Sequence, residues 1–149
     1  MIELAVKVAA ALARMFEGLY LSPYLCPAGV PTIGYGATYY EDGARVTLSD
    51  APVTRERAEE LLLWMVRTKY LPAVIKLCPG VQDPRLLAAL IDFTFNLGAG
   101  NLKASNLRRC VNAEDWEALP DEFRKWVRGG GRVLKGLVRR REAEIATFI

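Results

Sequence analysis

The stretch between residues 19 and 53 most limits what this chain can fold into. It contains four prolines and four glycines, a density that no regular helix tolerates. Within it, PTIGYGATYY and ARVTL have the composition of β-strands, and Asp42-Gly43 between them is a strong hairpin signal. We predict an antiparallel sheet of two or three short strands. A sheet this small needs helices packed against it to be stable.

Both flanks of that stretch carry helical patterns. Residues 3–16 form an alanine-rich amphipathic helix, and Thr54 can cap the helix that follows the sheet. Asp83-Pro84 is an N-cap with proline in the first turn, and it precedes LLAALIDFTFNLG, the most apolar stretch and the expected core helix. The pattern therefore predicts an α+β fold that is mostly helical.

The last third of the chain continues the helical pattern. Asn112, with Asp115 three residues later, resembles a capping signal, and the triple glycine at 129–131 is expected to be a flexible break. A basic helix is predicted from about residue 134 to 148. We expect one domain over residues 1–149, with a β-containing lobe at about 17–53, a helical lobe at about 54–149, and a cleft between them.

Two residue counts narrow the chemistry. The sequence has no histidine, which excludes mixed Cys/His zinc sites and Ser-His or Cys-His nucleophilic machinery. Its three cysteines are an odd number without close spacing, which favours free thiols in a reducing compartment over a disulfide framework. The apolar run near the N-terminus is interrupted by charges and falls short of the roughly 20 residues that span a bilayer.

Charge is unevenly distributed. Eleven basic residues lie between Lys103 and Arg141, although the whole chain carries only +3. Such a bias suits an anionic polymer, namely cell wall, nucleic acid or an acidic membrane surface. The alternative is an ordinary solvated helical surface, since acidic residues are interspersed through the same span.

Glu17 is the candidate catalytic acid. It follows the first predicted helix, and Gly18 marks the helix end. The helix macrodipole disfavours a negative charge there, and a carboxyl that keeps its proton is what a general acid requires. Downstream, a turn carries Cys26 and a strand starts at Thr32. An acid facing a group that can position water is the layout used in glycoside hydrolysis.

The spacing of these residues resembles that of the phage-type lysozymes, the endolysin muramidases of glycoside hydrolase family 24. The family's catalytic signature is a glutamate, eight residues, an aspartate or cysteine, five residues and a threonine, which Glu17, Cys26 and Thr32 match without a gap. The flanking motif EG-x5-Y-x-C-x2-G-x2-TIGYG agrees as well. Further similarity at FNLG (95–98), in the segment 115–126 and around GL-x-RR (136–140) extends the resemblance over nearly the whole chain.

This resemblance implies a lysozyme-like fold and cleavage of the β-1,4 bond between N-acetylmuramic acid and N-acetylglucosamine in peptidoglycan. Glu17 would protonate the leaving oxygen, Thr32 would hold the attacking water or the sugar, and Cys26 would replace the aspartate of many relatives. A free thiol beside a carboxylate is expected to have a pKa above its usual value and to be mostly uncharged at neutral pH.

The resemblance also implies residues along the glycan groove and a supporting arginine. Thr38, Phe95 and Ser105 (or its neighbour Asn106) would line the groove. One arginine of the run 139–141 would pair with Glu17. The tryptophans at 64, 116 and 126 are expected in the core because they occupy apolar helical positions.

For partners and location, the resemblance implies peptidoglycan strands as substrate, no metal or cofactor, no nucleic acid and a monomer. We expect no stable membrane insertion, only weak contact through the basic C-terminal helix. Free thiols favour synthesis in the host bacterial cytoplasm, with access to the wall after membrane disruption by another protein.

Two other functions remain open at this point. A lytic transglycosylase would use Glu17 alone and need no water. A non-catalytic glycan-binding or membrane-active protein would act through the basic C-terminal helix.

Overall fold

A computed structural model describes residues 1–149. Eight α-helices and two small antiparallel sheets form the chain. The helices are α1 (Ile2–Phe16), α2 (Arg55–Met65), α3 (Leu71–Leu77), α4 (Pro84–Leu97), α5 (Ala99–Ala104), α6 (Asn106–Asn112), α7 (Leu119–Arg124) and α8 (Lys135–Phe148). The strands are β1 (Tyr20–Leu25), β2 (Pro31–Gly34), β3 (Arg128–Gly129) and β4 (Arg132–Val133). The mostly helical α+β prediction is confirmed. None of the helices is long and apolar enough to cross a membrane.

The sheet after α1 has two strands, within the predicted two or three, but the pairing differs from the predicted one. β1 and β2 pair antiparallel, with Tyr24 opposite Thr32, but β2 ends at Gly34, where φ is +66°. That left-handed conformation breaks a strand and suits only glycine at low cost. The predicted hairpin across Asp42-Gly43 is reduced to one isolated bridge between Tyr39 and Arg45. The turn itself forms, because the Asp42 side chain accepts from the Ala44 N–H at 2.9 Å.

The long helical stretch from Arg55 to Leu77 contains a π-helical turn at Val66–Tyr70 between α2 and α3. Its N-terminus is capped as predicted, since the Thr54 side chain accepts from the Arg57 N–H. Pro72 explains the π turn, because proline supplies no N–H and its ring clashes with the carbonyl four residues earlier. The helix accommodates Pro72 by widening locally, and it continues to Leu77.

α4 is the central helix of the core, as predicted. Asp83 caps it by accepting from the Arg85 N–H, and nine consecutive residues from Leu86 to Thr94 are buried. α1 and α8 pack against α4. The Phe93 ring makes edge-to-face contacts with two other rings, Phe123 at 5.8 Å and Trp126 at 5.5 Å.

Two smaller sequence predictions, for Asn112 and Trp116, were wrong. Asn112 is the last residue of α6, and it donates to the Leu77 carbonyl instead of capping the next helix. Trp116 is 48% exposed because it lies in a short 3-10 turn on the surface and not in a helix facing the core. The triple glycine forms a tight hairpin between β3 and β4, with positive φ at Gly130 and Gly131.

Candidate active site

Glu17 lies directly after α1, where the chain leaves the helix. Its N–H still bonds the Ala13 carbonyl at 2.8 Å, but its own backbone is extended, with φ −88° and ψ 140°. Gly18 follows without a side chain; a Cβ there would meet the Tyr20 ring at 2.9 Å. The turn directs Glu17 away from the helix, and 30% of its side chain stays exposed.

Arg140 of α8 connects Glu17 to the core. Its Nη1 donates to Glu17 Oε1 at 2.9 Å. Its Nε and Nη2 donate to the two carboxylate oxygens of Asp92 at 2.9 and 2.8 Å. The Phe16 ring covers the guanidinium at 5.6 Å. Arg140 is therefore the arginine that the run 139–141 was expected to supply.

This pairing changes the electrostatic description of Glu17. The helix dipole disfavours a negative charge at Glu17, whereas the guanidinium of Arg140, 2.9 Å away, favours one. Burial alone would lower the pKa of Arg140, but Asp92 and Glu17 outweigh burial and raise it. Arg140 is thus a permanent cation whose side chain is 5% exposed.

Asp92 was missed in the sequence, although a signal was present. It is an acidic residue in the middle of the most apolar helix, and its side chain is completely buried. A buried charge is almost always paired, so an arginine partner could have been inferred. Which arginine fills that role depends on how α8 packs on α4, and the sequence does not contain that information.

A groove of about 510 Å³ opens beside Glu17. Apolar residues at the end of α1 and the start of α8 form much of its wall. The polar side chains along it are Glu17, Asn96, Arg139 and Arg140. A larger groove of about 560 Å³ at the N-terminal end of α4 lies elsewhere on the helical lobe and includes none of these residues.

Cys26 and Thr32 are adjacent at the end of the β1–β2 sheet. Thr32 is buried, and its hydroxyl donates to the Val30 carbonyl at 2.8 Å. Tyr24 is the register partner of Thr32. Burial is the largest cause of its raised pKa, and the charges of Tyr20, Cys26 and Glu17 raise it further. Tyr24 is thus near enough to Cys26 and Glu17 to respond to both charges, whereas the groove beside Glu17 is lined by neither Cys26 nor Thr32.

The expectation for the Cys26 thiol was wrong in direction. The backbone N–H of Val30 is the main cause of a lowered pKa of Cys26. Burial, the next largest effect, opposes it, and Ala28 and the Thr32 hydroxyl add smaller effects that lower the pKa. The tight turn at 26–30 points its amides at the sulfur, a concavity that favours anions. Composition does not reveal where the amides of that turn point, and the expectation of a raised pKa rested on the neighbouring carboxylate alone.

The residues predicted for the glycan groove have different surroundings. Thr38 is half-buried and lines two shallow grooves on the β-containing side. Phe95 is half-buried at the end of α4 and packs on Tyr70 of the π turn at 4.9 Å. Ser105 is buried, where its hydroxyl accepts from the Arg108 N–H and donates to the Leu102 carbonyl. The Ser105 hydroxyl is therefore engaged inside the fold as the cap of α6.

Together these groups form the parts of an acid-catalysed displacement. One oxygen of Glu17 is fixed by Arg140, and Oε2 has no hydrogen-bond partner in the chain. A thiol with a lowered pKa, Cys26, stands near the Thr32 hydroxyl at the end of the β1–β2 sheet. Such a set can protonate a leaving oxygen and assist an incoming nucleophile.

Comparison with known proteins agrees with this geometry. The Phage lysozyme family model matches residues 14–144. The endolysin of Bacillus phage B103 is 34% identical over 93% of this chain, which spans 51% of that protein's length. The endolysin of Acyrthosiphon pisum secondary endosymbiont phage 1 is 34% identical over 92% of each chain. The structure of an endolysin from Escherichia coli O157:H7 phage FAHEc1 superposes with a TM-score of 0.83 at 28% identity, covering 96% of this chain and 91% of that one. The chain therefore belongs to the phage lysozyme family and is a glycoside hydrolase.

Proposed function

We propose that this chain, a peptidoglycan-hydrolysing endolysin, cleaves the β-1,4 bond between N-acetylmuramic acid and N-acetylglucosamine, with Glu17 as general acid. The observation that carries the proposal is the asymmetry of the Glu17 carboxyl. Arg140 holds Oε1 at 2.9 Å, and Oε2 stays without a partner on a side chain that lines the groove. The free oxygen delivers the proton to the leaving glycosidic oxygen.

Cys26 and Thr32 assist the incoming water in this proposal. The lowered pKa of Cys26 makes its thiolate more available near neutral pH than that of an ordinary cysteine. Thr32 helps to hold that water in this proposal, because its buried hydroxyl gives its proton to the Val30 carbonyl and can accept a hydrogen bond from the water. Thr38 and Phe95 line the glycan path, and Ser105 supports it from inside as a helix cap.

The setting of the reaction is part of the same proposal. The enzyme acts as a monomer on glycan strands and reaches the wall from the host cytoplasm once another protein has disrupted the membrane. Three free thiols support an origin in a reducing compartment. The exposed cations near the start of α8 allow weak contact with an anionic surface.

Glu17→Gln tests the proposal. The variant keeps the shape of the side chain but cannot donate the proton, so the clearing of purified peptidoglycan should slow by roughly 10²- to 10⁴-fold. Glu117→Gln is the matched control, because Glu117 is exposed and makes no ion pair. Equal lysis by Glu17→Gln and the parent would mean that the effect does not come from glycosidic cleavage.

Product analysis separates hydrolysis from transglycosylation. Mass spectrometry of the released muropeptides should show reducing ends, whereas 1,6-anhydro ends would mean that no water is used. In the same assay Cys26→Asp should retain most of the activity and Cys26→Ala should lose most of it. Parental activity in Cys26→Ala would leave the cysteine without a role in the reaction.

A further inference from the structure

The side-chain amide of Asn96 has a fixed orientation beside the catalytic acid. Asn96 lies in the last turn of α4 and lines the same groove as Glu17. Its Oδ1 accepts from Nη2 of Arg141 at 2.8 Å. A guanidinium has only donors, so the atom that faces Arg141 must be the oxygen. The NH2 of the amide is therefore on the opposite edge.

That NH2 group has no acceptor within the chain, unlike the NH2 groups of the other asparagines. The sequence has four asparagines. Asn101 donates to the Leu97 carbonyl at 2.6 Å, Asn112 to the Leu77 carbonyl at 3.0 Å, and Asn106 to Glu122 at 3.0 Å. Asn96 alone leaves both N–H donors for a group from outside.

A buried ion pair holds the partner of Asn96. The side chains of Arg141 and Glu144 are both 0% exposed. Arg141 Nη2 donates to Glu144 Oε1 at 2.8 Å, and its Nε lies 2.8 Å from Oε2. The Phe93 ring covers the guanidinium at 5.2 Å. Arg141 therefore cannot change rotamer without leaving Glu144 unpaired in the core.

A buried ion pair contributes little net stability to a core, because removing both charges from water costs free energy that their attraction must offset. Burial raises the pKa of Glu144, a neighbouring Asp92 adds to the rise, and Arg141 opposes it. Apolar residues of similar volume often replace a buried ion pair with no loss of stability. The pair does fix the direction of one side chain that an apolar core would leave free to rotate, namely the amide of Asn96.

We propose that Asn96 binds the substrate by donating its side-chain N–H to an acceptor oxygen of the N-acetylhexosamine in the groove, and that Arg141 and Glu144 are positioning residues for that amide. The inference rests on the proposed function, because the ligand is the glycan strand that Glu17 cleaves. The acetamido carbonyl and the hydroxyls of these sugars are acceptors of the required kind.

Asn96→Asp tests the binding step. Aspartate keeps an oxygen toward Arg141 and removes both donors, so the fold should persist. With soluble uncrosslinked glycan chains, KM should rise by roughly ten-fold, the equivalent of about one hydrogen bond of 1.4 kcal/mol, while kcat changes less than two-fold. Asn101→Asp is the matched control, since Asn101 is exposed and caps the end of the same helix.

Two further measurements exclude an effect of the new charge and of lost activity. If the carboxylate acted through Glu17, the pH profile of kcat would shift, whereas loss of a donor leaves it in place. In a Glu17→Gln background, calorimetric binding of an N-acetylglucosamine–N-acetylmuramic acid oligomer should weaken by the same ten-fold on Asn96→Asp. Parental affinity in that background would overturn the assignment.

The double variant Arg141→Met/Glu144→Leu tests the positioning role. Because both charges leave together, its thermal midpoint should equal or exceed that of the parent. KM should nevertheless rise as in Asn96→Asp, and adding Asn96→Asp to the double variant should change it by less than two-fold. Independent, multiplying effects would show that the pair does not act through Asn96.

Failure of this inference and failure of the proposed function look different. If the parent releases no reducing ends from peptidoglycan, the proposed function is wrong. If the parent and the Asn101→Asp control hydrolyse normally and Asn96→Asp keeps the parental KM, only the role of Asn96 is wrong.

Discussion

Replacing Asp92 with asparagine removes the charge that holds Arg140 in place. The carboxylate is 0% exposed and accepts two hydrogen bonds from Arg140 at 2.9 and 2.8 Å. In the variant, the amide NH2 faces a guanidinium that can only donate. Arg140 would keep Glu17, whose side chain is 30% exposed, as its one remaining charged partner.

The expected cost follows from burial. Removing one member of a buried ion pair typically destabilises a protein by about 3–5 kcal/mol. At roughly 2–4 °C per kcal/mol for a chain of this size, the thermal midpoint should fall by about 6–20 °C. Natural domains are stable by about 5–15 kcal/mol, so the variant should still fold at room temperature.

Thermal unfolding followed by far-UV circular dichroism measures this loss, and urea unfolding with an unchanged m value confirms that stability alone has changed. Asp121→Asn is the control, because Asp121 pairs with Arg124 while 86% exposed and should cost about 0.5 kcal/mol or less. If Asp92→Asn stays within about 1 kcal/mol of the parent, the buried pair does not anchor Arg140. Below the unfolding transition, kcat should fall for Asp92→Asn and not for the control.

Two other outcomes follow from single residues. The pKa of Cys26 is lowered, whereas burial raises that of Cys78 to about 11. Iodoacetamide at neutral pH should therefore label Cys26 well before Cys78, which peptide mass mapping can follow. Equal labelling rates would contradict the turn geometry at Cys26. Gly34→Ala should destabilise the chain by about 1–3 kcal/mol, because φ is +66° there and the new Cβ would lie 3.4 Å from Ala58. A melting midpoint equal to that of the parent would mean that β2 can end without the left-handed residue.

Much of the fold could be predicted because local signals are strong in this chain. The apolar periodicity of α4, the proline after Asp83 and the capping threonine at 54 each fix a boundary through chemistry within a few residues. The predicted β-hairpin at 42–43 was wrong because strand pairing, unlike a helix cap, depends on residues outside the local segment. Its turn is local and does form, but its flanking strands depended on pairings that Gly34 had already interrupted.

The site was predictable only where spacing along the chain carries the information. Glu17, Cys26 and Thr32 belong to one continuous segment, so their order survives in the sequence. The direction of the Cys26 pKa depends on where two backbone amides point, which no composition reveals. Asp92 could be noticed in the sequence as a charged residue within an apolar helix. The unpaired NH2 group of Asn96 can be identified only from the structure, where Arg141 faces the amide oxygen.

The catalytic acid is held by parts of the chain that are far apart in sequence. Arg140 is 123 residues from Glu17 and 48 from Asp92, and these residues come from α8, the end of α1 and α4. Glu17 therefore acquires its fixed oxygen only when α8 has docked on the helices formed by the earlier sequence. Undocking of α8 would remove Arg140 and Arg141 at once, and with them the restraints on both Glu17 and Asn96. The free energy of that local opening, rather than the stability of α1 alone, should set the fraction of molecules in which Glu17 is aligned for catalysis.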